Sequence, residues 1–196
     1  FRKAVQGMEV ALDRGYRVCT NTTVFRNSDL EDLWEMFRLV GGMGVEGSMI
    51  SPGYEFPDAS NQDLFLTRRE SQTMFRKLLP PASTAGMRFY NNPLYLNFLR
   101  GARDYQCAAW SSPTYTIMGW RKPCYPLADE HTQNVNDLYE GPLWDHYGVG
   151  KDPRCANCMM HCGFESATIF QAVTTPRDWA TLITSGAAGK AGITAA

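Results

Sequence analysis

Net charge is what this sequence has least of: 19 Lys and Arg stand against 20 Asp and Glu, leaving −1. A balance this close removes any global electrostatic argument for nucleic acid or for an anionic membrane surface. No run of about 18 apolar residues occurs, so no membrane-spanning helix is expected. No charged-then-apolar leader opens the chain either. Phe1 stands inside what reads as a helix, so the expectation is a segment of a longer protein. Without a secretory signal the expected location is cytoplasmic. In that reducing setting the six cysteines point to metal rather than to disulfides.

What is present is the composition of a globular protein, 44% hydrophobic and 20% charged. Residues 2–14 place Ala4, Val5, Met8, Ala11 and Leu12 on one helical stripe that Gly15 closes. The β-branched run 16–25 predicts a strand. Asn27-Ser28-Asp29 supplies an N-cap for a helix over 29–40 that stops at Gly41-Gly42. A short apolar strand is expected over 45–51, ended by Pro52-Gly53. A charged helix is expected from Asp63 to Leu79, a strand over 87–92, and a helix over 93–100 with Pro93 in its first turn. Strands alternating with helices of this length imply βαβ units and a parallel sheet, an α/β fold. Three strands are too few for a closed barrel or a full doubly wound sheet.

From about residue 101 the regular periodicity fades, and cysteine, glycine, proline and tryptophan rise. Such a loop-rich module buries little core by itself and needs a staple. Five cysteines fall here. Eleven residues follow Cys107, then Gly119, then four more, then Cys124; the block CANCMMHC adds Cys155, Cys158 and Cys162. Thiolates two residues apart can face one metal centre from a tight turn, and sulfur suits both zinc and iron–sulfur centres. The sixteen residues between Cys107 and Cys124 do not form the short knuckle of a zinc ribbon. From spacing alone, an iron–sulfur cluster, zinc, and unrelated buried thiols all stay open, with His161 a minor candidate ligand. Cys19, on a strand, is expected in the core. The tail beyond 175 contains a short helical stretch, DWATLI, and is otherwise expected to be flexible.

The segment CAAWSSPTYTIMGWRKPC resembles the C-x(9–15)-G-x4-C element of the twitch and SPASM auxiliary-cluster modules of radical S-adenosylmethionine (SAM) enzymes. Together with VCTNTTVFRNSD, VEGSMISPGYEF, GWRKPCYPL and RCANCMMHCGFE, it resembles the hopanoid-biosynthesis branch, the adenosylhopene synthases, from about residue 1 to about 170. The resemblance implies residues 1–100 as the C-terminal half of a radical SAM partial (β/α) barrel, 101–175 as the auxiliary iron–sulfur module and 176–196 as a tail.

It further implies a transferase that cleaves SAM at a [4Fe–4S] cluster held by CxxxCxxC and adds the 5′-deoxyadenosyl radical to diploptene, giving adenosylhopane. CxxxCxxC does not occur in this sequence, so the chain alone is expected to be inactive. By resemblance Asn21, Thr22 and Thr23 at the end of one strand, and Ser51, Pro52 and Gly53 after the next, would contact SAM; strand C-termini are also where parallel α/β barrels place their chemistry. Asn91 and Asn92 are weaker candidates. The auxiliary cluster would use Cys107, Cys124, Cys155 and Cys158, with Cys162 the alternate. Implied partners are a hydrophobic hopanoid substrate, a flavodoxin or ferredoxin as reductant, and a peripheral contact with membrane; nucleic acid is not expected.

Trp110, Tyr115, Met118 and Trp120 are expected as core and cluster shielding rather than a substrate pocket. Arg68-Arg69-Glu70 is expected as a solvated helix face. Glu55 and Asp58 are a faint carboxylate signal near the strand end.

Overall fold

The computed structural model describes the chain apart from residues 57–58, 81–86, 141–142 and 191–196, and for 184–190 the backbone alone. Helix α1 (Arg2–Asp13) leads to strand β1 (Cys19–Val24), helix α2 (Leu30–Gly42) and strand β2 (Gly47–Pro52). Asp29 caps α2 by accepting the N–H groups of Glu31 and Asp32. β1 and β2 pair in parallel, in register from Cys19 opposite Gly47 to Val24 opposite Pro52. The third expected strand shrinks to one parallel bridge between Ser48 and Phe89, closed by Ser48 N–H to Arg88 O at 2.8 Å and Tyr90 N–H to Ser48 O at 3.0 Å. The fold is mixed α/β, with strands and helices alternating as expected.

The helix foreseen from Asp63 is divided. A 3-10 turn covers Gln62–Leu64, and helix α3 starts only at Arg68 and runs to Leu78. The Thr67-x-x-Glu70 capping box sets that start, since each side chain satisfies the other's backbone N–H. Helix α4 (Pro93–Leu99) begins on an Asn92 cap with Pro93 in its first turn. Its Leu94, Tyr95, Phe98 and Leu99 are buried. One core joins both parts of the chain: Val24 and Ile50 from the parallel strands, Phe75 and Leu78 from α3, and Met159 and Phe164 from beyond residue 150. Phe98 stacks on Phe164 at a centroid separation of 4.5 Å. Burying a side chain of that size contributes about 1.5–3 kcal/mol.

The second part holds a three-stranded antiparallel sheet, β3 (Tyr115–Thr116), β4 (Gly119–Lys122) and β5 (Glu130–Thr132), amid 3-10 turns. Helices α5 (His161–Ala172) and α6 (Pro176–Lys190) follow. α5 left no helical stripe in the sequence because it is apolar on both sides: Phe164 and Ala167 face inward, Ile169 and Phe170 outward. Helix α6 takes in the helical stretch expected at DWATLI and runs on to Lys190. That helix is anchored by Asp178, which is buried and accepts from Arg103 at 2.6 Å and from the Tyr105 hydroxyl at 3.2 Å. Residues 191–196 of the expected tail lie outside the described residues. No helix among the described residues is long and apolar enough to cross a membrane.

Candidate metal centre

Cys107, Cys124, Cys155, Cys158 and Cys162 line one cavity of about 30 Å³. Each reaches it from a different kind of local structure. Cys107 precedes the short turn Ala109–Ser111, and Cys124 follows β4 after Pro123. Cys155 ends a 3-10 turn that Asp152 caps, and Cys158 N–H donates to Cys155 O at 3.1 Å across the CxxC turn. Cys162 stands in the first turn of α5. Arg154 ties two of these segments together, bonding Asp129 on the loop after Cys124 at 2.6 Å and Asp152 beside Cys155 at 2.7 Å.

Two glycines are required by this geometry. A Cβ on Gly163 would stand 2.6 Å from Cys107 Sγ. Gly119 has φ +116°, and a Cβ there would meet Thr132 O at 2.5 Å. The Gly119-x4-Cys124 spacing therefore has a steric basis: only glycine lets β4 press against β5 and deliver Cys124.

The remaining wall is apolar: Tyr54, Ala109, Pro126, Leu127, Val149 and Phe164. Burial pushes the Cys107 thiol up to about 11 and the Cys124 and Cys162 thiols up to about 12. Cys158 and Cys155 are raised by the same cause, Cys158 also by the neighbouring Cys107, Cys162 and Cys124. Backbone polarity offsets part of this at each thiol, from Ala109 at Cys107, Leu127 at Cys124, Gly148 at Cys155, Met160 at Cys158 and the backbone of Cys162 and Gly163 at Cys162, but burial is the larger effect throughout. Donors aimed at sulfur favour the thiolate, whereas a dry apolar wall disfavours it. Among the described residues no three His, Cys, Asp or Glu side chains are arranged to hold one metal ion.

The cavity lies past the C-terminal end of β2, where Tyr54 enters its wall. Tyr54 is buried, its hydroxyl donates to Arg154 O at 3.4 Å, and burial followed by the charges of Cys158 and Cys155 raises its pKa. The residues expected at SAM divide between faces. Asn21 and Thr23 are exposed on one side of β1 while Thr22 is buried on the other, because strand side chains alternate. Ser51 and Pro52 are buried, and Gly53 packs so closely on Phe25 that a Cβ would come within 2.6 Å of its ring.

Several expectations are corrected. Cys19 is exposed, not core, since it opens β1 on the same outward face as Asn21. Arg68 is not solvated: its side chain is 16% exposed and donates to Cys158 O. Asn91 and Asn92 serve the framework. Asn91 accepts Ile50 N–H at 2.7 Å and donates to Glu165 at 3.1 Å, while Asn92 N–H donates to Glu165 at 2.8 Å. Burial raises the Glu165 pKa against those two donors. Trp110, Tyr115, Met118 and Trp120 do not shield the cavity. Trp110 stacks on Phe170, Tyr115 packs on Trp120, and Met118 is exposed. His161 opens α5 without lining the cavity. Glu55 sits in a surface groove with Arg154 and Asn157, and Asp58 lies outside the described residues. Tyr54 and Gly163 were readable only as neighbours of a Pro-Gly turn and of a cysteine; nothing in the sequence marks them as parts of the site.

Residues 48–182, more than half of the chain, match the family described as a domain of unknown function, DUF3463, and the chain belongs to that family. No curated protein and no solved structure matches the chain.

Proposed function

We propose that the five-cysteine cavity is a [4Fe–4S] site and that this chain is the C-terminal portion of a radical SAM enzyme. The observation that carries the metal reading is the convergence of five thiols on one apolar-walled cavity. The donor set is all sulfur, which fits both iron–sulfur chemistry and zinc, and the sixteen residues between Cys107 and Cys124 depart from the short knuckle of a zinc ribbon. A single zinc draws four thiolates to about 2.3 Å from one point. Five cysteines line this cavity, one more than either centre needs, and the family resemblance favours the cluster. Cys107, Cys124, Cys155 and Cys158 would hold it, with Cys162 as the alternate. When bound, the cluster would relay electrons or hold the module together, its binding then adding directly to folding free energy.

The catalytic reading rests on the family resemblance and on the alternating α/β half, with the cysteine cavity at the strand C-termini where such sheets place ligands. In this reading the CxxxCxxC element lies outside these 196 residues. Asn21, Thr23 and Ser51 contact SAM from the sheet, Thr22 does not, and Pro52 and Gly53 shape the turn. The substrate is a hydrophobic hopanoid alkene and the product adenosylhopane; a radical SAM enzyme of another substrate class is the nearest variant. A second reading, a zinc- or cluster-stapled non-catalytic interaction module, is favoured by the exposed apolar side chains Trp110, Ile169, Phe170 and Val173.

Anaerobic purification with iron, sulfide and zinc analysis tests the metal assignment. About four irons and four sulfides per chain are expected. One zinc without sulfide overturns it. Product analysis with the full reading frame separates the catalytic reading from the module: SAM cleavage supports the first, and a frame lacking CxxxCxxC sinks it.

A further inference from the structure

Arg68 opens α3 and turns its side chain back toward the cysteine turn. Its Nη1 donates to Cys158 O at 3.2 Å, and its backbone N–H donates to Asn157 Oδ1 at 3.1 Å. Both acceptors belong to the Cys155–Cys158 segment, so one residue of the α/β half grips the CxxC turn twice. The guanidinium carbon lies 4.8 Å from the Phe98 ring centroid and 5.3 Å from that of Phe164. Phe164 is itself part of the cavity wall. The cation is thus held behind that wall, and its charge acts on Cys107 in the sense that favours thiolate. Its counter-ion is Asp104, whose side chain is 77% exposed. Water screens the carboxylate more than it screens the mostly buried guanidinium.

We infer that Arg68 is a positioning residue that fixes the CxxC turn and raises the reduction potential of the cluster. This rests on the iron–sulfur reading above. Reduction adds one electron, taken from dithionite in the test below, to a group already carrying thiolate charge. A nearby cation stabilises the added electron, and hydrogen bonds and net charge around the sulfurs are known levers on cluster potential.

The test is a redox titration followed by electron paramagnetic resonance, with iron and sulfide counts, on the reconstituted 196-residue chain and three variants. Arg68→Met should shift the midpoint to lower potential. Arg68→Lys, which keeps the charge, should stay near wild type. Arg68→Gln, which removes the charge but keeps donors for the Cys158 carbonyl, should shift it downward as Arg68→Met does. Loaded Arg68→Met at the wild-type potential overturns the inference. Should Arg68→Met not assemble a cluster, Arg68→Gln decides: a loaded Arg68→Gln chain at the wild-type potential overturns it equally. Wild-type chain that binds no iron and sulfide overturns the cluster reading itself, and is distinguished by the metal counts alone.

Discussion

Gly163→Ala asks whether the cavity is built for metal. The added Cβ would sit 2.6 Å from Cys107 Sγ, and ordinary contact begins at 3.4 Å, so the sulfur must move by about 0.8 Å. Functional constellations tolerate about 0.5 Å. Two opposing terms act on the metal-free fold. Alanine in place of glycine in a helix contributes about 0.5–1 kcal/mol. Overpacking beside Cys107 costs about 1–3 kcal/mol. The metal-free variant should therefore lose at most about 2.5 kcal/mol and remain folded. Cluster loading should fall much further, because a displaced Cys107 removes one ligand. Urea unfolding of the metal-free chain gives the first quantity; iron, sulfide and absorption near 400 nm after anaerobic reconstitution give the second. Gly7→Ala in α1 is the control: a Cβ there meets nothing within 4 Å, so stability should rise slightly and loading stay unchanged. A Gly163→Ala chain with wild-type iron, sulfide and spectrum would refute the assignment of Cys107 as a ligand.

Cys107→Ala, Cys124→Ala and Cys158→Ala should each abolish the absorption near 400 nm, whereas Cys19→Ser, at an exposed position, should leave iron content intact. In the metal-free chain the folded thiols titrate above the unfolded value of about 8.5, at about 11 for Cys107 and about 12 for Cys124 and Cys162. Their stabilising contribution is thus full below about pH 8.5 and falls away as pH climbs from there toward about 12; a melting temperature flat between about pH 8.5 and 11 would contradict the burial of these thiols. Asn91→Ala strips Ile50 N–H and Glu165 of their partner in the core and should cost about 1–3 kcal/mol in urea unfolding.

The short-range record was in the sequence. Helical stripes, the Asp29 and Asn92 caps, the Pro-Gly turn after β2 and the spacing of the cysteines depend on residues a few positions apart. They carried α1, α2, α4, both parallel strands and the five site cysteines. Tertiary structure alone decided what depends on distant partners. Cys19 fell outside the core because the outward face of β1 is open. The strand expected around Phe89 became a single bridge. α5 formed without a polar face because its inner side packs on α4 while its outer side stays exposed. Arg68 left the solvent because Asp104, Asn157 and the Cys158 carbonyl, 36 to 90 residues away, meet at the start of α3. Gly163 became indispensable only when Cys107, 56 positions earlier in the chain, arrived against it. Spacing along the chain identifies which residues can act as ligands. Which backbone atoms, cations and glycines surround them is set by the packing of segments that local rules do not relate.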